Sequence, residues 1–279
     1  MTVPNLISDF YKKMEEVDLD VYGILGTDDR VHSLGTDSKI IGRIFEILAQ
    51  PVLEDLAEEY GLTIETPASQ TVYPDFVFMD DIGSTEKIAI DIKTTYATSD
   101  RSQIQFTLGS FGSYMRNNTK NIAYNYTDYA KHYVIGFVYT RNGFAQESQV
   151  FEFEDRASIE TPYSNVKYFI QEKYRISGDK PGSGNTENIG SIKSRDFNDF
   201  VNGNSPFTIL GEDIYDLYWS NYPKYRSTNK AYTSLPEFLD WLPTQGENLT
   251  LLRPFNLSDV LERARKFSFE QSELSPNDL

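Results

Sequence analysis

The chain of 279 residues is long enough for one large domain or two small ones, and 39% hydrophobic residues with a mean hydropathy of −0.48 suit a packed core under a polar surface. It has no cysteine, which excludes disulfides, thiolate metal sites and cysteine nucleophiles, and two histidines are too few for a histidine-rich zinc centre. The net charge of −16 argues against a nucleic-acid partner unless the basic residues gather on one surface, because neutralising phosphates supplies most non-specific affinity.

In chain order, residues 4–17 carry Leu6, Phe10 and Met14 at helical spacing. Residues 21–35 read as two short strands around a polar turn at Thr27–Arg30. From Ser38 to Tyr60 the apolar positions Ile41, Ile44, Phe45, Leu48, Val52, Leu53 and Leu56 mark one helical face. Pro51 is expected to kink or interrupt that helix, and Gly61 to stop it. Residues 72–79 and 87–96 look like neighbouring strands, followed by a helical stretch around 109–118. Residues 132–141 are apolar enough for a central strand buried on both faces. A further strand is expected over 166–177, then a Gly-, Asn- and Ser-rich loop over 178–191. Helices at 213–222 and 234–242 are the clearest pieces of the remainder. His32, in the hairpin, and His132, at the start of a strand, are expected to be structural, and most Phe and Tyr to be packing residues. No apolar run approaches the roughly 18 residues of a membrane helix, and the N-terminus lacks a signal-peptide pattern. A cytoplasmic location without a membrane partner is expected.

The chemistry centres on Asp75 after Pro74, then on Asp91-Ile92-Lys93. In a strand, residues two apart share a face, so Asp91 and Lys93 project together while Ile90 and Ile92 point to the apolar side. Asp75, from the neighbouring strand, can converge on the same point. Two carboxylates, a backbone carbonyl and phosphate oxygens make a hard, oxygen-only site that suits Mg²⁺. Lys93 can then orient a water and stabilise developing negative charge during phosphodiester hydrolysis. The same three residues are also compatible with a structural ion-pair network.

Further segments surround that motif: YPDF (73–76), KIAIDIKTTY (87–96), RNNTKNI (116–122), IGFVYTR (135–141) and GSGNTENIGSI (182–192). In order and spacing they resemble the EcoRV-type type II restriction endonucleases of the PD-(D/E)xK nuclease superfamily, in pieces, from the first helix to about residue 242. The resemblance implies an α/β fold with a mixed central sheet flanked by helices, a U-shaped homodimer acting on double-stranded DNA, and blunt cleavage within the palindrome GATATC. It implies Asp75 and Asp91 as metal ligands, Lys93 as the catalytic lysine, and Glu46 as an accessory carboxylate able to bind a metal. Mg²⁺ would be the cofactor, with Mn²⁺ as a substitute. The loop Gly182, Ser183, Gly184, Asn185, Thr186 would read bases in the major groove, with Asn185 placed to pair with adenine and the Thr186 methyl to meet a thymine methyl. Gln70, Lys120 and Asn188 would be further DNA contacts, and Arg226 a phosphate contact. Residues 17–35 would belong to the dimerisation region of a single domain spanning 1–244, and a bacterial host would carry a cognate DNA methyltransferase.

Three features depart from the pattern. Glu187 puts a carboxylate where the family carries a neutral threonine, and is expected to face solvent. Residues 245–279 form an extension without a counterpart, in which Leu257–Phe267 is apolar-periodic and the end is acidic. The acidity is expected on outer faces, because a homodimer of charge −32 would otherwise repel DNA. Other readings are a junction resolvase or repair nicking enzyme of the same fold, a catalytically inactive DNA-binding module, and an interaction protein with an incidental carboxylate cluster. Indifference to sequence, or preference for branched DNA, would mark the first of these, and hydrolysis that survives Lys93→Ala would exclude the lysine mechanism.

Overall fold

The computed structural model describes residues 3, 5–99, 102–182, 187–245, 249, 251, 256, 258–263 and 266. Helix α1, Leu6–Met14, buries Leu6, Phe10 and Met14 as their spacing requires. A short hairpin follows, β1 at Gly23–Leu25 and β2 at Arg30–Ser33. Helix α2, Ser38–Glu59, is capped by Asp37, whose side chain accepts from the backbone N–H of Lys39 at 2.8 Å and of Ile40 at 3.2 Å. Contrary to expectation, α2 runs through Pro51 without a break, and Pro51 lies on the exposed side, where water can satisfy the carbonyl that lost its donor.

A five-stranded sheet comes next, built from β3 (Thr63–Glu65), β4 (Phe76–Met79), β5 (Lys87–Tyr96), β7 (Tyr129–Arg141) and β9 (Tyr163–Glu172), in the order β3-β4-β5-β7-β9. It is mixed: β5 and β7 run parallel, and the other neighbours antiparallel. Between them, β6 spans Thr107–Ser110 and β8 Val150–Glu152, the latter pairing with β2 to complete a sheet β1-β2-β8. The expected helix at 109–118 is instead the end of β6 followed by a π-type turn, Phe111–Met115, broken at Ser113.

The loop expected over 178–191 is largely a β-hairpin. Strands β10, Ser177–Pro181, and β11, Asn188–Ser191, pair with each other, and β11 pairs with β6. Its glycines concealed the strand arms, which the neighbouring β6 supplies with backbone partners. Helices α3 (Asn198–Asn202), α4 (Pro206–Leu210), α5 (Glu212–Asn221) and α6 (Leu235–Trp241) close the far side.

Alternation along the strands separates two cores. Ile88, Ile90 and Ile92 of β5, with Ile135 and Phe137 of β7, face α1 and α2, where Phe45 stacks on Phe137 at 4.6 Å. Ala89 of β5 and Val134 and Val138 of β7 face the other way, toward β6, β11 and α3 to α6. Asp91 and Lys93 share that second face by the period of two. Among the described residues, Asp91 and Asp216 are the buried carboxylates. No described helix is long and apolar enough to cross a membrane. Beyond residue 245, residues 258–263 are helical, Val260 is buried in the second core, and Arg263 pairs with Asp213 of α5. The described part of the apolar-periodic stretch, 258–263, thus packs on the helical side, and positions 257, 264, 265 and 267 lie outside the described residues.

Candidate active site

The register of the sheet assembles the Asp75, Asp91 and Lys93 cluster. Phe76 of β4 stands opposite Ile90 of β5, so one step outward brings Asp75 across from Asp91. Asp75 lies just before β4 rather than in it, and its Oδ2 accepts the N–H of Ile92 at 2.6 Å, so the carboxylate takes over where the strand ladder ends. The segment leading to it is pinned by Tyr73, which donates its N–H to the Asn121 carbonyl at 3.1 Å and accepts from the N–H of Ala123 at 2.9 Å. The Tyr73–Pro74 peptide is cis.

Asp91 is only 3% exposed. The Lys93 Nζ lies 2.7 Å from Asp91 Oδ2 and 3.9 Å from Asp75 Oδ2, and donates to the Ile92 carbonyl at 3.1 Å. The contact to Asp91 is an ion pair carried by charge rather than by a well-aligned hydrogen bond. Burial opposes the lysine's charge, but Asp91 and Asp75 outweigh it and hold its pKa above the usual value. Asp75 moves the opposite way for a carboxylate: burial first, then the charge of Asp91, push it up to about 7. The pocket therefore already holds one cation among oxygens and leaves a second carboxylate without full compensation, an environment that favours added positive charge.

Two clefts meet at Asp75. One, of about 200 Å³, is lined by Gln70, Tyr73, Asp75, Asp91, Lys93 and Asn121 among others. The other, of about 240 Å³, includes Arg43, Glu46, Gln50, Gln70 and Asp75. Glu46 reaches this rim from α2, but it pairs with Arg43 at 2.6 Å. No group of three or more His, Cys, Asp or Glu side chains able to hold a metal comes together among the described residues, so Glu46 does not join the two aspartates in one cluster here. The oxygen donors that do converge are Asp75, Asp91 and the Ile92 carbonyl, a set whose hardness fits a divalent cation such as Mg²⁺.

The outer residues are more dispersed. Gln70 is exposed on the lip shared by both clefts. Lys120 is exposed, and its carbonyl accepts from the Ser113 hydroxyl at 2.7 Å. Asn188 stands opposite Ser110 in the β11–β6 pair, and its carbonyl accepts the Gly182 N–H at 2.9 Å, which closes the hairpin below its tip. Ser183, Gly184, Asn185 and Thr186 lie outside the described residues. Arg226 is exposed, next to Tyr225. Glu187 departs from expectation, because it is held rather than turned to solvent. Arg116 Nη1 donates to its Oε2 at 2.6 Å and the Tyr225 N–H to its Oε1 at 2.9 Å.

Beneath the cluster lies a polar layer with no signal in the sequence. Lys173 is 1% exposed, donates to the Tyr114 hydroxyl at 2.7 Å and sits 4.2 Å above the Tyr73 ring. Burial drives its pKa down to about 7, against the pull of Asp91. His132 Nδ1 and the Tyr73 hydroxyl share a hydrogen bond at 2.8 Å, and Tyr126 donates to Asp216 at 2.7 Å. Lys173 reads in sequence as one more charge within the strand expected over 166–177; that strand ends at Glu172, and only the fold turns the lysine inward.

The model of the family described as restriction endonuclease EcoRV matches residues 15–243. Over 240 residues the chain is 39% identical to the type II restriction enzyme EcoRV of Escherichia coli, covering 85% of this chain and 96% of that protein. The solved structure of NlaIV restriction endonuclease aligns over 97% of this chain and 90% of that one at 10% identity, with a TM-score of 0.34, too remote to bear on the site.

Proposed function

From the premise that this chain belongs to the EcoRV family and is a type II restriction endonuclease, we propose that it cuts double-stranded DNA at GATATC, leaving blunt ends, with Mg²⁺ as cofactor. The observation that carries the chemistry is the convergence of Asp75, Asp91 and Lys93 at the mouth of a cleft. Asp75 and Asp91 would hold the metal, with Mn²⁺ able to replace Mg²⁺, and Glu46 would serve as accessory ligand from the adjoining cleft. When bound, the ion supplies positive charge at the scissile phosphate and a water of lowered pKa. Lys93 is held by Asp91 in its charged form, so it donates to the attacking water and to the phosphate oxygens as negative charge develops. Asp75, whose pKa burial and Asp91 push up to about 7, would give up whatever proton it still carries as the cation binds.

The hairpin β10–β11 would deliver Gly182, Ser183, Gly184, Asn185, Thr186 and Asn188 to the major groove, and Gln70 would meet the DNA from the cleft lip. Lys120 and Arg226 would contact the backbone. A palindrome calls for a twofold protein. The sheet β1-β2-β8 supports a homodimer, because Ile24 and Leu25 are 61% and 56% exposed, with Val150 and Phe153 also exposed beside them. The pair would form a U-shape around the duplex, with residues 17–35 at its base. Residues 1–244 then make one nuclease domain, in keeping with a family match that ends at residue 243, and 245–279 an extension of unknown role. Such an enzyme works in a bacterial cytoplasm beside a methyltransferase that protects the host sites.

The test is cleavage of a plasmid with one GATATC site, in Mg²⁺, in EDTA, and by Asp91→Ala. The expected product is blunt-ended linear DNA, abolished by EDTA and lowered at least about 10³-fold by the mutation, roughly 4 kcal/mol of barrier. Cutting at one other sequence would refute the target and retain the chemistry. Equal cutting of all sequences would favour a resolvase or nicking enzyme, and binding without cutting an inactive DNA-binding module.

A further inference from the structure

We propose that Glu187 is a specificity-determining positioning residue, which acts by latching the foot of the β10–β11 hairpin through Arg116 to the segment at 222–225. The inference rests on the reading that this hairpin meets the bases. Both carboxylate oxygens of Glu187 are already engaged, Oε2 by Arg116 and Oε1 by the Tyr225 N–H. A carboxylate so engaged is committed to partners within the protein rather than offered to a cytosine amino group, and its charge near the phosphates is offset by the guanidinium. Arg116 also donates to the Tyr222 carbonyl at 2.7 Å and lies over the Phe111 ring at 5.1 Å. The backbone joins in, since the Glu187 carbonyl accepts from the Gly112 N–H at 3.1 Å and from the Ser110 hydroxyl at 3.0 Å.

One residue thus ties three segments: the turn after β6, the start of β11, and the stretch that leads to Arg226. The approach is close enough that a Cβ at position 112 would clash with the Glu187 carboxylate, so Gly112 is what lets the latch close. The Arg116 and Glu187 side chains are 17% and 28% exposed, which shields the pair from solvent better than a surface ion pair. Tying the foot of the hairpin on both sides fixes where β11 begins relative to β6 and to the segment at 222–225. On the reading that this hairpin meets the bases, discrimination between sequences depends on that placement. A threonine at this position cannot reach both partners.

The experiment compares Glu187→Thr, Arg116→Met and the double variant with the wild type. Two quantities are measured: the ratio of cleavage rates between GATATC and its single-base variants, and amide exchange at Gly112 and Tyr225. Each single change is expected to lower the ratio about tenfold, and the double to lower it no further, because either one removes the same contact. Exchange at Tyr225 should rise in all three while β5 is unaffected. An unchanged ratio despite faster exchange overturns the specificity role, as does an equal rate loss at every sequence, which marks a merely structural contact. Unchanged exchange overturns the latch itself. A wild type that cuts all sequences alike refutes the site-specific reading and this role together, while exchange still decides whether the latch exists.

Discussion

The two faces of the five-stranded sheet are made on different terms. The face under α1 and α2 is filled by Ile88, Ile90, Ile92, Ile135 and Phe137 against Phe10 and Phe45, with no buried charge among them. The opposite face carries Asp91, Lys173, His132 and Asp216 among its buried groups, the last three each hydrogen-bonded to a tyrosine hydroxyl. Apolar burial needs no partner of fixed geometry and yields stability; buried charge needs one, and where the need is not met in full the fold holds a capacity to bind ions. One strand, β5, serves both, because its alternate residues never share a face.

The sharpest test of that division is Phe45→Ala. Phe45 is fully buried and stacks on Phe137, so its loss should cost about 3–5 kcal/mol in urea unfolding. Cleavage per folded molecule should stay near wild type. A specific activity that fell as steeply as the stability would mean the two faces are not separable.

Asp75→Asn should act in the opposite sense, abolishing cleavage while stabilising the metal-free protein. The Asp75 pKa is about 7 in the fold against an ordinary 3.8, so ionisation is disfavoured in the native state. Stability from this group is therefore lost as pH rises from about 4 through 7, and the asparagine removes that loss. The gain over wild type should be near zero at pH 4 and on the order of 2 kcal/mol at pH 8, less than the full shift implies because Asp75 shares its charge with Asp91 and Lys93. Mg²⁺ should erase the difference by stabilising the wild type. A gain equal at both pH values would show that the fold does not raise the Asp75 pKa, by burial or by the charge of Asp91.

What the sequence disclosed follows the same line. Periodicity located α1, α2 and the two-sided burial of β7, because apolar alternation is a local signal. The Asp91-x-Lys93 spacing made a shared face certain once β5 was a strand, and Asp75 followed from antiparallel pairing. Pro51 misled, since a helix tolerates a missing N–H on its wet side. The strand arms of 178–191 were hidden by glycines, and their pairing with β6 joins segments far apart in the chain. Lys173 and Glu187 were illegible for the same reason: each owes its position to a distant residue, Tyr114 in one case and Arg116 in the other.

The smallest expected effect, Lys173→Met, separates a lysine kept for chemistry from one kept for packing. Burial holds its pKa near 7, well below an ordinary lysine, so the charged form is disfavoured in the fold. Stability is then lost as pH falls from about 10 toward 7, and the loss is complete below the folded pKa. Methionine keeps the volume and contact with the Tyr73 and Tyr114 rings without the charge, so the variant should gain about 1 kcal/mol over wild type at pH 6 and little at pH 9. The Tyr114 hydroxyl loses its partner but keeps a contact of 3.4 Å to the Leu108 carbonyl, which limits the cost at high pH. Urea titrations in EDTA at the two pH values measure this, and a difference independent of pH would place the lysine charge outside the energetics of this face. If the variant is stabilised at pH 6 yet binds Mg²⁺ more tightly, the buried ammonium opposes the cation that the aspartates attract. The polar face would then hold its ion in balance against a resident charge, something the apolar face has no means to do.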